Sequence, residues 1–309
     1  MEKSIRVFAP ATVANVTCGF DILGFAVSAP GDEVVVTLKK SPGITISEIT
    51  GDGGRLSKDP SQNTVSVPIL RYLEKIKSKQ GFDIKLHKKM PLGSGLGSSS
   101  ASSVAGVFAA NILLGEPLKR IELLPFAMEG ERVACGSAHA DNVAPALLGG
   151  FVLVRSYRPL DVVKIPTPAS LYATIIHPHI EVRTKDARSI LRNDLSLHDA
   201  IVQWGNVAGL VCGLLMSDYG LIGRSMHDVV AEPYRSALIP GYYEVKQAAL
   251  DAGALGAGIS GSGPSVFALS NDEKKARVIA KKMSEEFNKL NIGNDVYVSQ
   301  INSEGPVVL

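Results

Sequence analysis

Residues 91–103 read PLGSGLGSSSASS and run directly into the apolar stretch VAGVFAANILL. Alternate glycines at Gly93, Gly95 and Gly97 belong where a backbone must take positive φ or let another group come close. The serines behind them suit the start of a helix, where unpaired amides and the positive end of the dipole attract an anion. Upstream, FDIKLHK sets Phe82, Ile84 and Leu86 against polar neighbours in the alternation of a half-buried strand. The first expectation is therefore a phosphate-binding loop joining a strand to a helix, with Pro91, Leu92, Gly93, Ser94, Gly95, Leu96, Gly97, Ser98, Ser99, Ser100 and Ala101 around the anion.

The rest of the chain limits what that loop can serve. A length of 309 residues fits about two domains, and 45% hydrophobic with 20% charged residues is ordinary for a globular enzyme. A net charge of +2 without a basic cluster favours a small-molecule partner over nucleic acid or an anionic membrane. Cys18, Cys135 and Cys212 are widely spaced and lack a C-x-x-C pair, as expected of plain thiols in a reducing compartment. The N-terminal stretch has no apolar signal core, so a cytoplasmic location is expected. Residues 90–115 and 200–217 lack charged side chains, but interrupting polar and glycine residues point to buried helices rather than membrane spans.

Strands are predicted over IRVFA, DEVVVTLKK and ITISEIT, then a helix carrying Val67, Leu70, Leu73 and Ile76 and stopped by Gly81. LKRIELLPFAMEGE predicts a helix kinked at Pro125, GGFVLVR a strand, and the proline-rich SYRPLDVVKIPTPAS a linker. Beyond it the order β-α-β-β-α-β can be traced, the ferredoxin-like pattern. The fold class is α+β in two domains, residues 1–160 and 161–309. Trp204, the sole tryptophan, is expected in the core.

No lysine follows the glycines as in G-x-x-x-x-G-K-[ST], and their spacing of two misses G-x-G-x-x-G. The loop instead resembles the P-x-x-x-G-L-G-S-S phosphate loop of the GHMP kinases. APATVANVTCGFDILGFA near the start and GISGSGPSVFAL near the end are similar to that superfamily's other two motifs, so the likeness runs essentially end to end. HADNVAPALLGGF, TKDARSIL and EPYRSALIPGY resemble the homoserine kinase family in particular. The resemblance implies a ribosomal-S5-like N-terminal ATP-binding domain and a ferredoxin-like C-terminal domain. It also implies ATP- and Mg²⁺-dependent phosphorylation of L-homoserine on the way to threonine; a homodimer through the second domain is expected by analogy of fold.

Phosphoryl transfer demands positioning and electrostatic cover, which a lysine-free loop must draw from amides, a helix terminus and a metal. The resemblance assigns the metal to Ser98 and Glu131, with Glu129 as the alternative acid. Homoserine carries a carboxylate, an ammonium and a hydroxyl. Arg188 and Arg235 can fork the carboxylate, with Thr184 adding a hydroxyl. Asp21 and Asp141 can meet the ammonium, with Asn15 and Asn142 supplying uncharged hydrogen bonds. Whether Asp141 takes the hydroxyl proton or only positions substrate stays open, as does Asn142 beside that hydroxyl. Asn63 is either a nucleoside contact or a helix N-cap. His139 is expected to be a structural hydrogen-bonder, and His177 and His179 lack the further ligands of a metal site.

Overall fold

The alternating segments of the first third become strands β1 (Ser4–Ala14), β2 (Leu23–Lys39) and β3 (Ile44–Thr50). They are followed by α1 (Val67–Ile76), β4 (Gly81–His87), α2 (Ser98–Leu113), α3 (Leu124–Cys135), α4 (Ala140–Leu148) and the strands β5 (Phe151–Tyr157) and β6 (Leu160–Ile165). The second half runs β7 (Tyr172–Pro178), α5 (Thr184–Ser189), α6 (Leu197–Met216), α7 (Tyr219–Ser225), α8 (Glu232–Arg235), α9 (Tyr242–Asp251), β8 (Gly256–Ile259), β9 (Val266–Ser270), α10 (Glu273–Lys289), β10 (Asn294–Gln300) and β11 (Val307–Val308). The structure, a computed structural model, describes residues 3–136 and 138–309, apart from the side chain of Cys135.

One sheet has the order β11-β1-β2-β4-β3, with β5 pairing β2 and β6 pairing β5; the other has the order β10-β7-β9-β8. The second is antiparallel throughout and, with α9 and α10 on it, is the ferredoxin-like arrangement expected from the sequence. In the first sheet only β3 and β4 run parallel. Helix α2 lies on this sheet, with every residue from Ser100 to Asn111 buried; its alanines, serines and glycine let it approach closely.

Several local expectations are corrected. The helix α1 ends at Lys77, which takes the left-handed conformation, rather than at Gly81, which opens β4. Pro125 kinks nothing: it occupies the first turn of α3, where its missing N–H costs no hydrogen bond. The proline-rich segment expected as a linker contributes β6, paired with β5 from Phe151↔Ile165 onward. The chain passes to the second sheet between Ile165 and Tyr172, so we propose the domain division at 166–171 rather than at 160. Trp204 is 62% exposed and lies outside the core, and α6, expected as a buried helix, buries only one side, which places Leu210 and Leu214 in the core.

A buried ion pair fastens the glycine loop to the sheet. The Lys88 ammonium, just past β4, pairs with the Asp32 carboxylate of β2, and both side chains are almost wholly buried. Lys88 also donates to Ser98 O at 2.8 Å and to Ser102 Oγ at 2.7 Å. Asp32 accepts from the amides of Lys89 and Met90 at 2.8 and 3.1 Å and from Ser98 Oγ at 2.8 Å. These bonds satisfy the donors and acceptors that make a buried pair tolerable and tie both ends of the loop to β2. Asp32→Ala would strand the ammonium and should lower the unfolding free energy by about 3–5 kcal/mol. Urea melts would read this as a lower midpoint with an unchanged slope. A midpoint within error of the parent would show that the pair does not hold the loop.

Candidate active site

The glycine loop forms one wall of a cleft of about 520 Å³. Its geometry explains the glycines at two positions. Gly97, at φ +65°, precedes α2, and a Cβ there would come within 2.1 Å of Thr12 Oγ1. Gly95, at φ +77°, presses on the β8–β9 turn, where a Cβ would lie 2.4 Å from Ser260 O. Ser260 Oγ and the Ser265 amide then bond Gly95 O and Ser94 O at 2.7 and 3.2 Å. The helix N-cap expected of a serine is Gly97 itself, and the serines occupy the first turns of α2. Its unpaired amides therefore face the cleft without a side-chain cap, as an anion site requires.

Glu131 enters the cleft from α3, nine-tenths buried, with Oε1 accepting from Ser99 Oγ at 2.6 Å and Ser100 Oγ at 2.8 Å. Burial raises its pKa, against the pull of the two serines and Lys88. Glu129 bonds Arg132 instead and does not line the cleft, so of the two acids Glu131 is the one that can meet a cation there. Ser98 Oγ is within the same wall; it donates its proton to Asp32 and keeps its lone pairs for a cation. A buried carboxylate beside an anion cradle fits a hard divalent cation that keeps most of its waters.

The opposite wall is made by four charged side chains drawn from four segments. After β1 the chain makes a left-handed turn, with positive φ at Asn15, Val16, Thr17 and Asp21; for Val16 and Thr17 this is costly. Asn15 holds the turn by accepting from the Asp21 amide at 3.1 Å and donating to Gly261 O at 2.9 Å. Asp21 is thereby aimed at α5, where its carboxylate takes a two-pronged ion pair from Arg188 at 2.9 and 3.1 Å. Arg235, buried, donates to Ala187 O and Gly261 O. Both guanidinium groups lie over the Phe20 ring, at 5.6 and 5.1 Å from its centroid.

Asp141 and Asn142 project from the first turn of α4. Asp141 is buried, and among the described residues its Oδ1 has no hydrogen-bond partner. Burial pushes its pKa up to about 7, with Asp21 and Glu131 adding to the effect. Thr12 Oγ1 donates to Asn142 Oδ1 at 2.7 Å, which leaves the Asn142 nitrogen for the cleft. Tyr157 of β5 bridges the two halves of this wall: its hydroxyl donates to Asp21 O at 2.8 Å and accepts from the Ala140 amide at 3.2 Å. His139 stands 3.9 Å from Asp21, and burial lowers its pKa, so it is neutral near pH 7. Thr184 lies on the rim, 3.4 Å from Ser262 Oγ.

Asn15, Asp21, Asn63, Ser98, Glu131, Asp141, Asn142, Thr184, Arg188, Arg235 and the loop from Leu92 to Ser99 thus line one cleft. Pro91, Ser100 and Ala101 lie outside that lining. Asn63 is no N-cap, since Ser66 precedes α1; it accepts from the Val65 amide at 3.0 Å and donates to Ser57 O at 2.6 Å. Sequence reasoning missed Asp32, Lys88, Thr12, Phe20 and Tyr157. None of the five carries a local mark: Asp32 stands between Gly31 and Glu33 and Lys88 between His87 and Lys89, and only the fold brings the two together.

Two family models match the chain: "GHMP kinases N terminal domain" over residues 63–150 and "GHMP kinases C terminal" over residues 210–289. The homoserine kinase of Chloroherpeton thalassium is 54% identical over 318 residues, spanning 99% of this chain and 100% of that protein. That of Xylella fastidiosa strain M12 is 38% identical over 98% of this chain and 94% of its own length. The crystal structure of homoserine kinase from Cytophaga hutchinsonii superposes with a TM-score of 0.98 at 65% identity, covering 100% of this chain and 98% of that one. Mevalonate kinase from L. major, at 16% identity and a TM-score of 0.73, shares the fold.

Tyr157→Phe deletes one hydroxyl and with it both bonds between the Asp21 turn and α4. The Ala140 amide should exchange with solvent about fivefold to tenfold faster, the equivalent of a bond worth ~1 kcal/mol. Hydrogen exchange at native pH reads this directly, and unchanged protection at Ala140 would remove Tyr157 from the support of the site.

Proposed function

Since the chain belongs to the homoserine kinases of the GHMP kinase superfamily, we propose that it moves the terminal phosphoryl group of ATP to the hydroxyl of L-homoserine. The product is O-phospho-L-homoserine, an intermediate toward threonine, and the setting is cytoplasmic. The observation that carries this reading is the pairing of an anion cradle with a wall of two arginines and two acids in a single cleft.

The amides of residues 93–98 and the start of α2 take the phosphates, and the nucleoside lies toward Leu56, Ser57, Gln62 and Asn63 at the same wall. Ser98 and Glu131 would hold Mg²⁺, which when bound offsets phosphate charge. Arg188 and Arg235 take the amino-acid carboxylate, and Thr184 closes the rim. Asp21 and Asp141 take the ammonium, so that substrate replaces the Asp21–Arg188 ion pair with one partner for each of its members. Asn15 shapes this pocket through the Asp21 turn. Asn142 donates from its amide nitrogen beside the hydroxyl. Because the transition state is loose and the hydroxyl proton can leave late, orientation matters more than a strong base. Asp141 is therefore assigned to binding.

The reaction is tested by ADP release from ATP and Mg²⁺ with L-homoserine, L-serine, L-threonine and mevalonate in parallel. Stimulation by homoserine alone is expected; turnover of mevalonate in its place would overturn the substrate assignment.

Asp141→Asn should raise the KM for homoserine by at least about 30-fold, the cost of stripping a buried charge of its partner, with kcat at saturation little changed. A collapsed kcat with unaltered homoserine affinity would make Asp141 the base instead. The acid must be ionised to meet the ammonium, so kcat/KM for homoserine should fall below pH 7 and level off above it. Its raised pKa means that the folded state binds the proton more tightly than the unfolded one. Asp141 therefore withdraws stability as pH rises from about 4 to about 7. The unliganded Asp141→Asn protein should accordingly melt higher than the parent at pH 8, by the equivalent of about 1–4 kcal/mol.

A further inference from the structure

Among the described residues, the lysines and arginines that line the cleft are Arg55, Lys88, Arg188 and Arg235. Lys88 is sealed behind Ser98 by its pair with Asp32, and Arg188 and Arg235 stand on the Asp21 wall. Arg55 alone belongs to the segment of Leu56, Ser57 and Asn63, beside the glycine loop. That segment is pinned at its base. The Lys88 amide donates to Thr50 O at 2.8 Å, buried Asp52 accepts from the Leu56 amide at 3.0 Å, and the Arg55 amide donates to Asp52 O at 3.3 Å. Across the mouth of the cleft, Arg55 Nη1 meets Glu181 Oε2 at 3.4 Å, with both side chains more than half exposed. Glu181 lies between β7 and α5, and its side chain rests on the glycine loop: a Cβ on Gly93 would come within 3.2 Å of Glu181 Cγ and 3.4 Å of Oε1.

An acid resting on an anion cradle opposes the anion, and the guanidinium paired with that acid stands one carboxylate's width from the same loop. We propose, resting on the reading of the cleft as an ATP site, that Arg55 is a further phosphate-binding residue, which leaves Glu181 for the triphosphate when the nucleotide binds. Charge and geometry both favour the exchange. An exposed ion pair at 3.4 Å is weak and easily given up. A guanidinium on phosphate oxygens instead makes forked, charge-assisted bonds. The glycine loop offers amides and the dipole of α2 but no cation of its own, so Arg55 covers phosphate charge at its outer edge. A permanent strap between the two sides fits less well, because a pair so open to water holds little.

Calorimetric titration of the full chain with the Mg²⁺ complex of the β,γ-imido analogue of ATP tests the exchange without turnover. Arg55, Glu181 and Lys58 are all exposed, so substitutions there leave the packing alone. Arg55→Ala should raise the dissociation constant about 10-fold to 100-fold, the worth of a hydrogen bond to a charged group. Arg55→Gln keeps donors for a nucleoside but no charge for a phosphate and should lose nearly as much, while Arg55→Lys should recover part of the loss. Glu181→Gln should act in the opposite direction, lowering the constant about twofold to fivefold, because it frees the arginine and removes the opposing charge. Lys58→Ala removes an equal charge from the same segment outside the cleft lining, where Nζ bonds Ser47 O, and should change nothing. A parent that does not bind the analogue overturns the ATP reading and this assignment with it. Where the parent binds, the assignment alone is overturned by an Arg55→Ala protein that binds equally well, by full rescue in Arg55→Gln, by a Glu181→Gln protein weakened like Arg55→Ala, or by an equal loss in Lys58→Ala.

Discussion

The buried pairing of Lys88 with Asp32 is the interaction on which the cleft depends. Burial lowers the pKa of the ammonium, and the Asp32 charge opposes that effect. Removing the charges from water is affordable only because five further bonds are made to them. Those bonds run from β2 to both flanks of the glycine loop, so the loop is drawn against the sheet and α2 begins where its amides open on the cleft. A loop with no lysine of its own thus has one behind it, acting through the position of Ser98 rather than by reaching a phosphate.

The opposing wall is assembled differently, by short polar links between distant segments. Asn15 reaches Gly261, Thr12 reaches Asn142, Tyr157 joins the Asp21 turn to α4, and Gln203 supports the same turn from behind. These links hold arrangements that are unfavourable in isolation: left-handed Val16 and Thr17, two neighbouring guanidinium groups on one ring, and a buried carboxylate with an unpartnered oxygen. On the proposed function each of the electrostatic costs would fall when a zwitterion enters, its ammonium meeting the acids and its carboxylate the arginines, so that strain and binding specificity would share one origin.

Much of this was legible in the sequence, because local pattern and composition decide it. The glycine loop, the helix behind it, the ferredoxin-like half and the charged residues of the cleft follow from period, glycine spacing and family likeness. What was not legible depends on packing. Gly97 displaces the serines from the N-cap because Thr12 leaves no room for a side chain. Pro125 starts a helix instead of bending one, since the preceding turn from Arg120 to Leu123 already ends there. Trp204 and its neighbours read as core because an apolar helix carries no sign of which side is covered, and in the single chain only one is. Asp32 looked like any turn residue beside Gly31, and only the sheet brings it to Lys88, 56 positions away.

The central claim is that the cleft recognises both charges of its substrate. Calorimetric titration of the protein with L-homoserine, with γ-hydroxybutyrate, which lacks the ammonium, and with the amino alcohol lacking the carboxylate tests it most directly. A wall that reads both charges binds homoserine at least about 100-fold more tightly than either analogue, since each leaves a buried charge unmet. Equal binding of γ-hydroxybutyrate would contradict it, because the acids Asp21 and Asp141 would then have no ammonium to recognise.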